Sequence, residues 1–204
     1  MFITRTRVTL AVTAIVALTL AGCGGDDADT MPGMEHGASS VAPTPSTQAR
    51  SDFNSADVMF LQMMYPHHAQ AVDMAKLVPS RSRNPQLLAL AAAVEQAQEP
   101  EMRQITTLLQ SFGKPVPAPG DGHTGHAMPG MMSAERMSAL QAASGPDFDR
   151  QWLTMMIEHH AGAIAMAETE LTTGANADAQ TLARAIVANQ QAEIDQMRTM
   201  LGQS

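Results

Sequence analysis

Met63-Met64-Tyr65-Pro66-His67-His68-Ala69 returns 92 residues later as Met155-Met156-Ile157-Glu158-His159-His160-Ala161. The repetition extends in both directions without a gap. Asp57 falls on Asp149, Leu61 on Leu153, Met74-Ala75 on Met166-Ala167, Leu90-Ala91 on Leu182-Ala183, Glu101 on Glu193 and Leu109 on Leu201. Nineteen of the 53 positions from 57 to 109 are identical under this shift, which marks an internal duplication. Within the first copy Phe60, Met63, Met64, His67, Ala71 and Met74 follow helical spacing, and no run alternates with period two. Ala, Met, Gln and Glu, frequent in these stretches, are helix formers. Each copy therefore reads as an αα-hairpin. One amphipathic hairpin cannot bury its apolar stripe alone, so two should close face to face into an all-α four-helix bundle.

The expected helix ends follow from capping chemistry. The first helix should start behind Ser55 as N-cap, with Asp57 in its first turn, and run to about Val78. A loop over Pro79 to Pro85 should follow, then a helix capped by Asn84 with Pro85 at its first position, ending at Phe112 before Gly113. After a Pro/Gly/His-rich linker, a short helix should follow Ser133, a long one should run from about Asp147 to Thr173 and stop at Gly174, and a last one should span about Asp178 to Leu201. Pro66 and Pro100 have no counterparts in the second copy, where Glu158 and Ala192 stand, so each should bend its helix.

Composition narrows the class further. Aromatic residues make up 3% of the chain while methionine occurs 17 times, so the core must come from Ala, Leu and Met rather than from an aromatic or β-branched sheet. Arg5 and Arg7 precede an apolar run, Val8 to Leu20, that is too short to span a membrane and suits a signal peptide covering 1–22. Leu20-Ala21-Gly22-Cys23 resembles a bacterial lipobox, which makes Cys23, the sole cysteine, the expected lipid attachment site. The leader holds two of the 12 basic residues and none of the 20 acidic ones, leaving a formal charge of −10 on the rest. That balance excludes a nucleic-acid partner, which needs a basic face, and attracts cations. Residues 23–51 read as the lipidated cysteine and a disordered tether, and 52–204 as the duplicated helical domain with a linker at 113–132.

The repeated Met-Met-x-x-His-His motif carries the chemistry. Met63 with His67, and Met64 with His68, are i, i+4 pairs, neighbours on a helix surface, and the second copy supplies Met155 with His159, Met156 with His160, and Met166 as the counterpart of Met74. An approximate twofold axis could bring His67 to face His159, or His68 to face His160; the spacing alone allows either. Met74 lies 11 residues beyond Met63, about 16 Å along a helix, so these two cannot hold one ion together. With no thiol left in an oxidising compartment, thioether and imidazole groups point to copper before zinc or iron, and the thioethers favour copper(I). The competing reading is that the methionines are core filler and the histidines structural. Asp57 and Asp149 could orient an imidazole or cap a helix. Met31, Met34 and His36 in the tether, and His123, His126, Met128, Met131 and Met132 in the linker, could gather copper through several weak ligands.

Asp57-x-x-Phe60-Leu61-x-x-Met64-x-x-His67-His68-x-x-Ala71-x-x-Met74-Ala75, repeated from Asp149 to Ala167, resembles the signature of the domain-of-unknown-function 305 family. The resemblance covers about Asp52 to Leu201. It implies a ferritin-like four-helix bundle in an exported bacterial protein associated with copper. It also implies copper ligands at Met63, Met64, His67, His68 and Met74 and at their partners Met155, Met156, His159, His160 and Met166.

A ferritin-like bundle raises the possibility of di-iron chemistry, but no glutamate here has a histidine three residues later, as that class requires. No nucleophile motif supports hydrolysis. The expected protein is a non-enzymatic copper binder, lipid-anchored on the outer face of the bacterial cell membrane or in the periplasm. It would sequester copper or hand it to a copper-handling partner protein, or act as a homo-oligomer. The alternative is a lipid-anchored helical interaction module whose His and Met residues bind no metal.

Overall fold

The computed structural model describes residues 50–120 and 128–202. These form five helices: α1 (Ser55–Arg81), α2 (Pro85–Ser111), α3 (Ala134–Ala142), α4 (Gly145–Thr173) and α5 (Ala177–Leu201), with no strand among the described residues. No described helix is long and apolar enough to cross a membrane. The expected signal peptide, Cys23, the tether up to residue 49 and the histidines of the linker lie outside the described residues, while Arg50 at the end of the expected tether pairs with Asp178 at 2.8 Å.

α1 packs along α2 and α4 along α5, giving the two hairpins of the duplication, and α1 meets α4 across the centre while α3 leans on α4. Two apolar clusters show how the long helices cross. One joins Ala71, Met74 and Val78 of α1, all beyond the His pair, to Phe148, Trp152, Leu153 and Met156 of α4, all before it. The other joins Phe60, Leu61 and Met64, before the pair in α1, to Ala163, Met166 and Ala167, after it in α4. α1 and α4 therefore run antiparallel and cross at their histidines. A tie between α4 and α1 fixes one of the clusters: the Trp152 indole N–H donates to the Met74 carbonyl at 2.9 Å. Burying such apolar surface is the main force closing the two hairpins.

Asparagines set the helix starts. Asn54, not Ser55, caps α1: its side chain accepts from the backbone N–H groups of Ala56 and Asp57 while Asp57 accepts from the Asn54 N–H, a reciprocal capping box. Asn84 and Asn176, equivalent positions of the duplication, cap α2 and α5 by accepting two backbone N–H groups each, without the reciprocal carboxylate. α1 continues through Pro79 to Arg81, so the expected loop shrinks to Ser82–Asn84. Pro66 and Pro100 interrupt neither α1 nor α2. Gly113 takes a left-handed φ of +65° just past α2, as a helix terminator should. Gly174 ends α4 at an extended φ of −70°, without that turn.

Candidate metal centre

At the crossing of α1 and α4 the imidazoles of His67 and His159 stack, with ring centroids 3.8 Å apart and planes tilted by 37°. Their neighbours turn outward to the second helix of their own hairpin. His68 Nε2 meets Glu101 Oε2 at 2.7 Å, and His160 Nε2 meets Glu193 Oε2 at 2.6 Å. The crossing of the two helices thus resolves the choice that the spacing left open: the inner pair is His67 with His159, and the outer pair anchors to α2 and α5. All four histidines are buried.

The last residues of the linker close over this layer. His67 Nε2–H donates to the Pro129 carbonyl at 2.9 Å, and the Gln70 side chain holds Met132 by both its amide atoms, donating to the Met132 carbonyl and accepting the Met132 N–H. Gly130, at a left-handed φ of +78°, rests against the Glu158 and His159 carbonyls and Gly162 of α4. Met132 is itself a core residue. Residues 128–132, read from sequence as part of a linker, form a strap docked on His67 and the backbone of α4, because the backbone at Gly130 and Gly162 carries no side chain to hold it off.

Burial, and then the neighbouring imidazole of His68, pushes His67 down to about 3, while its bond to Pro129 works weakly the other way. Burial, followed by the proximity of His67, holds His159 well below the ordinary histidine value. Both rings are neutral at physiological pH, the form that binds metal. The Nδ1 atoms of all four histidines, and Nε2 of His159, are buried with no hydrogen-bond partner. So are both amide atoms of Gln98 and Gln190, which stand one helical turn before Glu101 and Glu193. Nine polar atoms without protein partners in one small region exceed what a packed interior ordinarily tolerates, at about 1–3 kcal/mol each. Such a set fits an ion or a cluster of polar ligand atoms.

The methionines are arranged differently. Met64 and Met166 pack in one apolar cluster, with Met63 partly buried against it, and Met74, Met155 and Met156 pack in the other. The ten residues expected to act as ligands therefore do not converge on one point. Four imidazoles form the layer, and thioethers from both repeats flank it on either side. Met64 and Met156 lie three residues from the inner histidines. Met74 and Met166 lie seven residues beyond them, about 10 Å along the axis, outside the layer. Among the described residues no three His, Cys, Asp or Glu side chains make a ligand set by themselves. The carboxylates expected to orient an imidazole do not do so. Asp57 accepts the backbone N–H groups of Ala175 and Asn176 as well as that of Asn54, tying α1 to the α4–α5 turn. Asp149 falls past the first turn of α4, with Oδ1 buried and unpartnered. Glu101 and Glu193 touch the histidines instead. They and the glutamine pair recur at the same 92-residue spacing as the histidines, which was the available signal for them.

A family model for a domain of unknown function, DUF305, matches residues 57–201, both hairpins included. The chain belongs to the DUF305 family. The fragment of a DUF305 protein from Deinococcus radiodurans is 35% identical, with a TM-score of 0.67 over 74% of this chain and 98% of that one. A DUF305 protein from Streptomyces coelicolor, described as secreted, is 30% identical with the same TM-score, covering 73% and 93%. CopM in its Cu(II)-bound form is 36% identical with a TM-score of 0.62, covering 71% and 94%, and CopM has also been solved with Cu(I) and with Ag. No curated protein sequence matches this one. Bundles of this shape thus include one, CopM, with copper and silver bound.

Proposed function

We propose that this DUF305 chain binds copper at the imidazole layer between α1 and α4 and sequesters it or passes it on, without turning over a substrate. The observation that carries this reading is the buried, neutral His67–His159 stack, whose Nδ1 atoms have no protein partner. Copper is the cargo that suits the donors: imidazole accepts either oxidation state, and the thioethers of Met64 and Met156 one turn away favour copper(I). The copper- and silver-bound states of CopM support the same choice of metal.

The sequence of the leader, with Cys23 in a lipobox, supports export and attachment to the outer face of the cytoplasmic membrane, and the secreted relative supports export. A competing reading, an anchored helical interaction module, draws on the packing of Met74 and Met166 in hydrocarbon. Titration of the full chain with copper(I) against a competing chelator separates the two. His67→Ala/His159→Ala should abolish tight binding. Unchanged affinity in that variant would place copper elsewhere in the chain and sink the proposal, as would the absence of tight binding in the wild type.

A further inference from the structure

The outer histidines present one nitrogen to a carboxylate and leave the other bare, twice over. His68 Nε2 lies 2.7 Å from Glu101 Oε2 and His160 Nε2 lies 2.6 Å from Glu193 Oε2, with both rings fully buried. Each glutamate comes from the partner helix of the same hairpin, and the two pairs are equivalent under the duplication. A carboxylate oxygen at this distance takes the ring N–H, which puts the imidazole proton on Nε2. Nδ1 of each ring is buried with no acceptor to receive a proton, so it keeps its lone pair. In metal sites the same division, one nitrogen to a carboxylate and the other to the ion, fixes the ring and raises its basicity.

We propose that Glu101 and Glu193 are positioning residues that lock His68 and His160 as Nε2–H tautomers, so that Nδ1 is the atom each ring offers to copper. The proposal rests on the imidazole layer being the copper site. His67 obeys the same rule by another route: its Nε2–H is taken by the Pro129 carbonyl, which again leaves Nδ1 bare. Three of the four rings thus leave the same nitrogen bare, each fixed by a hydrogen bond from a separate element: α2, α5 and the strap. His159, with neither nitrogen engaged, is the one ring free to choose.

Nitrogen-15 spectra of the metal-free full chain, labelled on histidine, report which nitrogen of each ring carries the proton. His68 and His160 should show protonated Nε2 and bare Nδ1. Protonated Nδ1 on either ring overturns the proposal. Adding copper(I) should then move the Nδ1 resonances of these rings. Binding that instead moves Nε2, or leaves both nitrogens of His68 and His160 unshifted, overturns the proposal while leaving copper binding intact. A wild-type chain that takes up no copper defeats the functional reading, and with it the copper half of this one. Glu101→Ala/Glu193→Ala should weaken copper binding by about 10- to 100-fold. Glu101→Gln/Glu193→Gln, whose amide oxygen still accepts the Nε2–H, should keep the tautomer and recover most of that loss. Equal losses in the two variants would count against tautomer control.

Discussion

Gly162 of α4 lies so close beneath Pro129 that a Cβ built on it would come within 2.1 Å of the Pro129 carbonyl oxygen, the same oxygen that holds His67. A glycine in the middle of a 29-residue helix has no local justification. It costs about 1 kcal/mol relative to alanine. Its reason is the strap.

Gly162→Ala therefore has opposite expected signs with and without the docked strap. Helix propensity alone stabilises by about 1 kcal/mol. Overlap with backbone that cannot be repacked costs about 1–3 kcal/mol or expels the strap. We expect net destabilisation in urea unfolding, together with greater protease cleavage near residue 128. A more stable variant with an unchanged cleavage pattern would show that residues 128–132 do not lie on α4 as described.

Gln98 and Gln190 should reveal the cost of keeping polar groups in the layer. Each is buried with both amide atoms unpartnered, and methionine has nearly the same length without the hydrogen-bonding demand. Gln98→Met/Gln190→Met should raise the melting temperature of the metal-free protein, by an amount equivalent to about 1–3 kcal/mol. A drop of that size would mean that the amides are satisfied by bound water, which the substitution removes.

Asp57 and Asp149 are equivalent in sequence and unlike in structure, which predicts unequal losses. Asp57→Ala strips the acceptor from the N–H groups of Asn54, Ala175 and Asn176, at 2.6, 3.0 and 2.8 Å. Leaving such donors unmet near the core should cost about 2–4 kcal/mol. Asp149→Ala, which removes a carboxylate with a buried, unpartnered oxygen, should change stability by less than about 0.5 kcal/mol or improve it. Equal effects in chemical denaturation would contradict the asymmetry.

The sequence disclosed what repeats and what is periodic. Both hairpins, the caps at Asn84 and Gly113, and the His pairs were legible because each depends on residues close together in the chain. Asn54 was missed although Asp57, three residues on, completes its capping box; Ser55 is an equally good cap by residue type, and only the position of the carboxylate distinguishes them. The strap was illegible for a different reason. Met128 to Met132 has no periodicity, and its docking is specified by a distant complement: Gly162, Gln70 and His67. The facing of His67 to His159 likewise follows from how two antiparallel helices cross, which is a tertiary fact.

Glu170 makes the stability of the folded chain depend on pH with a definite sign. It is buried beside Asp57; burial chiefly, and the Asp57 carboxylate next, push it up to about 8 from 4.5. Asp57 itself is held below its ordinary value by the backbone N–H groups it accepts, which outweigh its burial. At neutral pH, Glu170 is thus a protonated neighbour of an ionised Asp57. A carboxyl that binds its proton more tightly when folded makes the unfolded state the poorer proton binder between pH 4.5 and 8. Its contribution to stability is therefore full below 4.5 and is lost as pH rises towards 8, with a limiting slope of about 1.4 kcal/mol per pH unit. His67 acts in the opposite direction over a lower window: its folded value of about 3 lies below the ordinary 6.5, so its contribution grows as pH rises to 6.5. Asp57 matters only below about 3.8. The clean interval is therefore 6.5 to 8, where Glu170 alone of these groups titrates differently in the two states. Urea unfolding of the metal-free chain across that interval should show wild-type stability falling with pH. Glu170→Gln, neutral throughout, should be flat. Parallel profiles for the two proteins would mean that Glu170 is ionised in the folded state and that the carboxyl pair is not held as described.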